Sequence, residues 1–121
     1  MSRYDVIIIG AGPGGIFAAY ELAKKAPELK VAVFESGNSL EKRKCPIDGK
    51  KIKSCINCKT CAIMSGFGGA GAFSDGKYNI TNDFGGTLYE YIGKDTAIDL
   101  MKYVDEINLA YGGEGTKMYS T

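Results

Sequence analysis

Gly10, Gly12 and Gly15 stand at the spacing G-x-G-x-x-G, and an acidic residue, Glu35, follows about twenty residues further on. This pattern suits the ADP half of a dinucleotide. Gly10 allows a tight turn, Gly12 lets the backbone approach a pyrophosphate, and Gly15 lets a helix pack against a strand. Pro13 and Gly14 would open that helix, whose N-terminus offers free N–H groups and the positive end of a dipole to phosphates. Glu35 can accept both hydroxyl hydrogens of an adenosine ribose. Its charge would repel a 2′-phosphate, which disfavours NADP at this position. The competing reading is a glycine-rich turn with a structural role alone.

A second group of residues carries sulfur chemistry. All four cysteines lie between positions 45 and 61, as Cys45-Pro46 and Cys55-x-x-Cys58-x-x-Cys61. Two-residue spacings let thiolates converge on one metal centre, and three such cysteines with a distant fourth resemble ferredoxin-type iron–sulfur ligation. Tetrahedral zinc is equally allowed by ligand count. A redox-active Cys-x-x-Cys pair and four unligated thiols are the other readings. Lysines around the cluster would lower thiol pKa values and offset thiolate charge. A third group, Met64 to Asn79, reads MSGFGGAGAFSDGKYN. Glycines alternating with small residues can wrap backbone around a flat ring or a phosphate, with Ser74, Asp75 and Lys77 adding a hydroxyl, a carboxylate and a cation. A glycine-rich surface loop is the plain alternative, with Asp75 as a turn residue.

The elements that must position these groups follow from periodicity. Val6 to Ile9 is a β-branched run without polar alternation, expected for a strand covered on both faces. Ile16, Ala19, Tyr20 and Ala23 fit a helical stripe, Lys24 and Lys25 suit its C-terminal end, and Pro27 stops it. Val31 to Phe34 is a second strand, completing a βαβ unit. Residues 37–90 show little periodicity, and a stretch that long is uncommon unless function or a ligand orders it. Thr96-Ala97-Ile98-Asp99 is a passable capping box. It precedes a helix with Ala97, Leu100, Met101, Val104, Ile107 and Tyr111 on one face, ended by Gly112-Gly113. The expected class is α/β, a Rossmann-like FAD/NAD(P)-binding βαβ unit (1–36), a Cys- and Gly-rich cofactor-facing loop region (37–90), and a helix opening a further part (91–121). That is an incomplete domain, with Thr116 to Thr121 starting something more.

Composition narrows the classes. With 121 residues and 45% hydrophobic content the chain is one globular domain or part of one. It has no histidine, which removes the commonest general base and a common metal ligand. Net charge is +1, yet residues 42–59 carry +6 and the remainder −5. This basic stretch is either a solvated loop or the counterweight of a buried anion. No nucleic-acid-binding module accompanies it, so a nucleic-acid partner is not expected. The apolar run at 6–9 is too short for a secretory leader or a membrane span. A cytoplasmic location with reduced cysteines is the expectation.

The segments DVIIIGAGPGGIFAAYEL, CP…CINCKTC and GFGGAGAFSDGKYN together resemble the bacterial FAD-dependent dehydrogenases of an uncharacterised NAD(P)/FAD-dependent oxidoreductase family, among the glutathione-reductase-like flavoproteins. The fingerprint close to the N-terminus, followed by Glu35-Ser36-Gly37, is similar to FAD enzymes whose first βαβ unit holds the flavin nucleotide. The resemblance implies that Gly10, Gly12, Pro13, Gly14, Gly15, Glu35 and Ser36 hold the ADP moiety, that Arg43 reaches FAD, and that Gly69, Ala70, Gly71, Ala72 and Ser74 lie near the flavin. Such relatives are several times longer, with a second FAD-contacting segment and a substrate region. The implied function is the N-terminal part of a flavin-dependent oxidoreductase acting on a small-molecule substrate or electron donor, with NAD(P)H as a candidate donor. An electron-relay module holding zinc or an iron–sulfur cluster on a Rossmann scaffold, through Cys45, Cys55, Cys58 and Cys61, and an NAD-binding domain are the alternatives.

Overall fold

The computed structural model describes residues 3–74, 76–83, 85–113 and 115. Asp75 and the closing stretch 116–121 lie outside them. The chain divides into two compact units, Met1–Ser74 and Asp75–Thr121.

The first unit is built on strand β1 (Val6–Ile9), helix α1 (Pro13–Lys25) and strand β2 (Val31–Phe34). The strands pair in parallel, Val6 opposite Val31 and Ile9 opposite Phe34. Pairing runs one step further, because the Gly10 N–H donates to the Phe34 carbonyl at 2.7 Å. At the other end the Lys30 N–H donates to the Asp5 carboxylate at 2.8 Å. The βαβ unit expected from sequence is present. Coverage of β1 on both faces is not. Val6 and Ile8 are half-buried, whereas Ile7 and Ile9 are exposed, Ile9 at 82%. Ile8 lies on the helix side, beside Gly15. With two strands and one covering helix, the face bearing Ile7 and Ile9 is left largely open, and the Tyr4 ring meets Phe34 edge-on with centroids 6.5 Å apart.

Two glycines are indispensable to this turn. Gly10 has φ 97°, the left-handed region where a side chain is strained. A Cβ on Gly15 would collide with the Gly10 carbonyl oxygen and press on Ile8 Cγ2 at 3.2 Å. After β2 the chain makes a short 3-10 turn at Leu40–Lys42 and another at Ala70–Phe73.

In the second unit a short helix α2 (Leu88–Ile92) precedes helix α3 (Lys94–Asn108). The sequence showed no period at 88–92, a run of one and a half turns. α3 begins two residues before the expected capping box, and no side-chain cap bond forms. Gly93, with φ 84°, ends α2 and opens α3 by itself, so Thr96 falls inside the helix. Ala97 is the buried member of the anticipated stripe, while Leu100 and Tyr111 are exposed. The helix closes through Leu109–Gly113, where Gly112 at φ 121° breaks it as expected. Tyr78 is half-buried, and burial, with Asp105 nearby, raises its pKa. No helix among the described residues is long and apolar enough to cross a membrane.

Neighbouring glycines in α1 should therefore respond in opposite ways. Gly14→Ala meets open space and should stabilise the helix by about 0.5–1 kcal/mol, the propensity difference between the two residues. Gly15→Ala should lower the urea midpoint, because relieving its overlap with the Gly10 carbonyl requires β1 and α1 to move apart.

Candidate functional site

The loop between β1 and α1 is held on both sides. The Ala11 N–H donates to Glu35 Oε2 at 2.8 Å, and the Ala11 carbonyl accepts from the Gly68 N–H at 2.7 Å. Ala11 is correspondingly buried. The second oxygen of Glu35 accepts from the Gly37 N–H at 2.8 Å. These backbone donors, Ala11 first and Gly37 next, lower the carboxyl pKa below its ordinary value of 4.5. Glu35 thus ties the glycine turn to the end of β2 while each oxygen retains lone-pair capacity for another donor. Ser36, between Glu35 and Gly37, is exposed.

The N-terminus of α1 is uncapped by any side chain, with Gly12 as N-cap and Pro13 at the first position. The orphan N–H groups of the first turn have therefore no side-chain acceptor there. Gly12 has φ −77°, which any residue adopts. A Cβ on Gly12 would touch nothing nearer than Gly69 Cα at 4.0 Å, and one on Gly14 would touch nothing within 4 Å. The fold itself demands a bare backbone at Gly10 and Gly15 and makes no such demand at Gly12 and Gly14.

The glycine-rich stretch comes to this same place. A Cβ on Gly69, φ 62°, would press on Gly12 Cα at 3.1 Å and Pro13 Cδ at 3.2 Å. The 3-10 turn Ala70–Phe73 follows. Its later donors are used internally, Ala72 N–H to the Gly69 carbonyl and Ser74 N–H to the Gly71 carbonyl. Among the described residues no acceptor is paired with the N–H groups of Ala70 and Gly71.

Arg43 holds this stretch in position. Its side chain is buried, 3% exposed. Nε donates to the Ala62 carbonyl at 2.8 Å and Nη2 to Ile63 at 2.7 Å. Nη1 donates to Phe67 at 2.6 Å and Gly69 at 2.9 Å. The guanidinium also lies 4.8 Å from the centre of the Phe73 ring, a cation–π contact. The family resemblance implies that Arg43 reaches FAD. Four of its five N–H donors are committed to backbone carbonyls instead, so it acts on the site through the position of Gly69. Gly37 and Gly66 complete the joint. A Cβ on Gly37 would meet Gly66 Cα at 2.6 Å, and one on Gly66 would meet Arg43 Cδ at 2.7 Å. Sequence reasoning missed Ala11, Gly37, Gly66 and Phe73. Ala11 was detectable only as the residue caught between two glycines of the fingerprint.

Cys45, Cys55, Cys58 and Cys61 are exposed, unpaired thiols. They line one cavity of about 220 Å³ together with Ile47 and Ile56. Among the described residues no three Cys, Asp, Glu or His side chains stand close enough to hold one metal ion. The four thiols expected to share one metal centre thus line a common cavity, without standing as a group around a single ion.

Residues 1–41 match the model of the Thi4 family. An uncharacterized protein of Clostridium beijerinckii is 39% identical over 71 residues, 59% of this chain and 13% of that protein. The thiamine thiazole synthases of Yarrowia lipolytica and Phaeosphaeria nodorum are each 61% identical over 33 residues, 27% of this chain and 10% of theirs. The chain thus spans about an eighth or less of the length of these curated relatives. No solved structure matches it. The similarity supports the N-terminal βαβ unit as one shared with these proteins and does not extend to the bacterial dehydrogenase resemblance.

Two outcomes follow from this geometry. Arg43→Lys should destabilise the protein by on the order of 3 kcal/mol in urea unfolding, since three ammonium donors cannot replace the fork and buried carbonyls are left short. Because the folded-state pKa of Glu35 is depressed, its contribution to stability is present above the ordinary pKa and is lost as pH falls through the folded value. Stability measured from pH 6 downward, with pH 4.5 as the ordinary carboxyl value, should decline less steeply below that value in Glu35→Gln than in wild type.

Proposed function

We propose that this chain is the FAD-binding N-terminal part of a flavin-dependent oxidoreductase of the dehydrogenase type. The observation that carries the reading is the pair Gly12 and Gly14. Neither is required by its own backbone angles or by a protein neighbour, and both lie where the uncapped N–H groups of α1 collect. Bare backbone at an open helix start is what a pyrophosphate needs. The residues fit such a group on their own geometry. Gly12, Pro13, Gly14 and Gly15 would face the phosphates, and Glu35 with Ser36 would meet the adenosine ribose.

FAD is favoured over NAD by the position of the glycine-rich stretch. Gly69 packs on Gly12 and Pro13, so a nucleotide lying over the helix start would run toward Ala70, Gly71, Ala72 and Ser74. The unpaired N–H groups of Ala70 and Gly71 are the donors suited to flavin N5 or O4. When bound, the flavin would supply hydride or electron transfer, and the protein would orient it. NAD(P)H is the proposed electron donor and a small molecule the substrate. The thiazole synthases share only the N-terminal stretch, so their likeness supports nucleotide binding and not thiazole chemistry. The cytoplasm is the proposed location.

Purified full-length protein should carry flavin absorption bands. Gly12→Ala should keep the wild-type unfolding free energy to within about 1 kcal/mol, the cost of alanine in place of glycine at an N-cap, and lose most of its flavin. Glu35→Ala should weaken FAD binding by about 1–3 kcal/mol through lost charge-assisted hydrogen bonds. Wild-type flavin affinity in both variants would remove the assignment, and tight NAD binding without flavin would turn it to the NAD-binding alternative.

A further inference from the structure

We propose that Cys45, Cys55, Cys58 and Cys61 hold an iron–sulfur cluster in the cavity they line. The inference stands apart from the flavin reading, because it uses none of the residues of the glycine turn. Four of four cysteines in the chain face one space of about 220 Å³. A tetrahedral zinc site draws its sulfurs to within about 4 Å of one another, given Zn–S bonds near 2.3 Å. Among the described residues no three of these thiols stand as a group that could hold one metal ion. A polynuclear cluster is larger than an ion, and its four thiolates stand correspondingly further apart. The spacing Cys55-x-x-Cys58-x-x-Cys61 with a remote Cys-Pro supplies the four thiolates such a cluster takes.

Local conformation points the same way. Asn57, between Cys55 and Cys58, has φ 52°, the left-handed conformation that Asn adopts more readily than other residues with a side chain. In that conformation its N–H lies 3.4 Å from Cys55 Sγ as a donor. The Cys55 thiol in turn approaches Asn57 Oδ1 at 3.7 Å, a contact that ends when ligation removes the proton. The N–H···S bond remains and stabilises the negative sulfur, as hydrogen bonds to cluster sulfurs do.

The loop also needs something to order it. From Lys44 to Cys61 every residue is exposed except Ile52, which is half-buried. Metal binding can supply the ordering free energy that apolar burial does not. Its charge is suitable. Residues 42–59 carry +6, and the one acidic side chain among them, Asp48, already accepts from the N–H groups of Lys50, Lys51 and Ile52 through Oδ1. The surplus cations offset the net negative charge of a cluster with four thiolates.

The full-length protein is purified without oxygen, and iron, acid-labile sulfide, zinc and flavin are measured on the same sample. The expected result is about four iron and four sulfide per chain, the content of a four-iron cluster, with broad visible absorption that bleaches on reduction. Cys55→Ser and Cys58→Ser should lose that iron while keeping their flavin. Because a cysteine variant can misfold, wild-type protein stripped of metal is also treated with ferrous iron and sulfide, and should regain the same content and spectrum. Absence of iron and sulfide both as purified and after this treatment overturns the proposal. So does stoichiometric zinc that iron and sulfide do not replace, or a disulfide joining these cysteines in the anaerobic protein. Flavin without iron would sink the cluster and leave the flavin assignment standing; iron without flavin would do the reverse.

Discussion

The first unit depends on a buried guanidinium. Arg43 is charged, almost wholly removed from solvent, and has no carboxylate within its set of hydrogen-bond partners. Burying a charge is costly unless it is well paired, and here four carbonyl dipoles and the face of Phe73 do the pairing. Those carbonyls belong to Ala62 and Ile63, just before the glycine-rich stretch, and to Phe67 and Gly69 within it. One side chain therefore closes the base of the cysteine loop and sets Gly69 against Gly12. Glu35 makes the opposite kind of contact, a carboxylate receiving N–H groups from Ala11 and Gly37. Between them, a cation satisfied by carbonyls and an anion satisfied by amides fix a segment that has almost no apolar core.

The glycines of the turn separate into two kinds on physical grounds. Gly10 and Gly15 are bare because the chain cannot otherwise turn and pack. Gly12 and Gly14 are bare although the chain could carry side chains there. Gly14, within the first turn, lowers helix stability, and both leave backbone donors exposed at the helix start. Local rules broken without structural need are expected where a protein binds something.

Much of this was legible in the sequence where the information is local. The strand–turn–helix–strand order, the roles of Gly10 and Gly15, Pro13 at the helix start and the break at Gly112 all follow from residues a few positions apart. Arg43 was not legible in the same way. Its partners lie 19 to 26 residues away and are backbone carbonyls, which leave no mark in side-chain types. The start of α3 was misplaced because a capping box at Thr96 to Asp99 is a side-chain preference. The left-handed backbone of Gly93 settled the boundary first. The bare face of Ile7 and Ile9 was hidden for a third reason: a β-branched run predicts what a strand prefers to be covered by, and coverage is supplied by other elements.

The closed base of the cysteine loop has a consequence for how its length can vary. Arg43 joins residues on either side of the excursion through hydrogen bonds to Ala62 and Ile63, so the loop ends are fixed whatever lies between them. The tip at Asp48–Ile52 is self-contained, its turn closed by the Asp48 carboxylate and by the Ile52 carbonyl. Doubling a flexible loop between fixed ends costs only about 0.6 kcal/mol of closure entropy. Insertions and deletions around Gly49 and Lys50 break the tip's own hydrogen bonds and nothing beyond them, so related chains can differ there without disturbing the glycine turn. Between Ala62 and Gly69 the opposite holds: one added residue would slide carbonyls past the fixed fork of a single arginine, and that spacing has almost no freedom to drift.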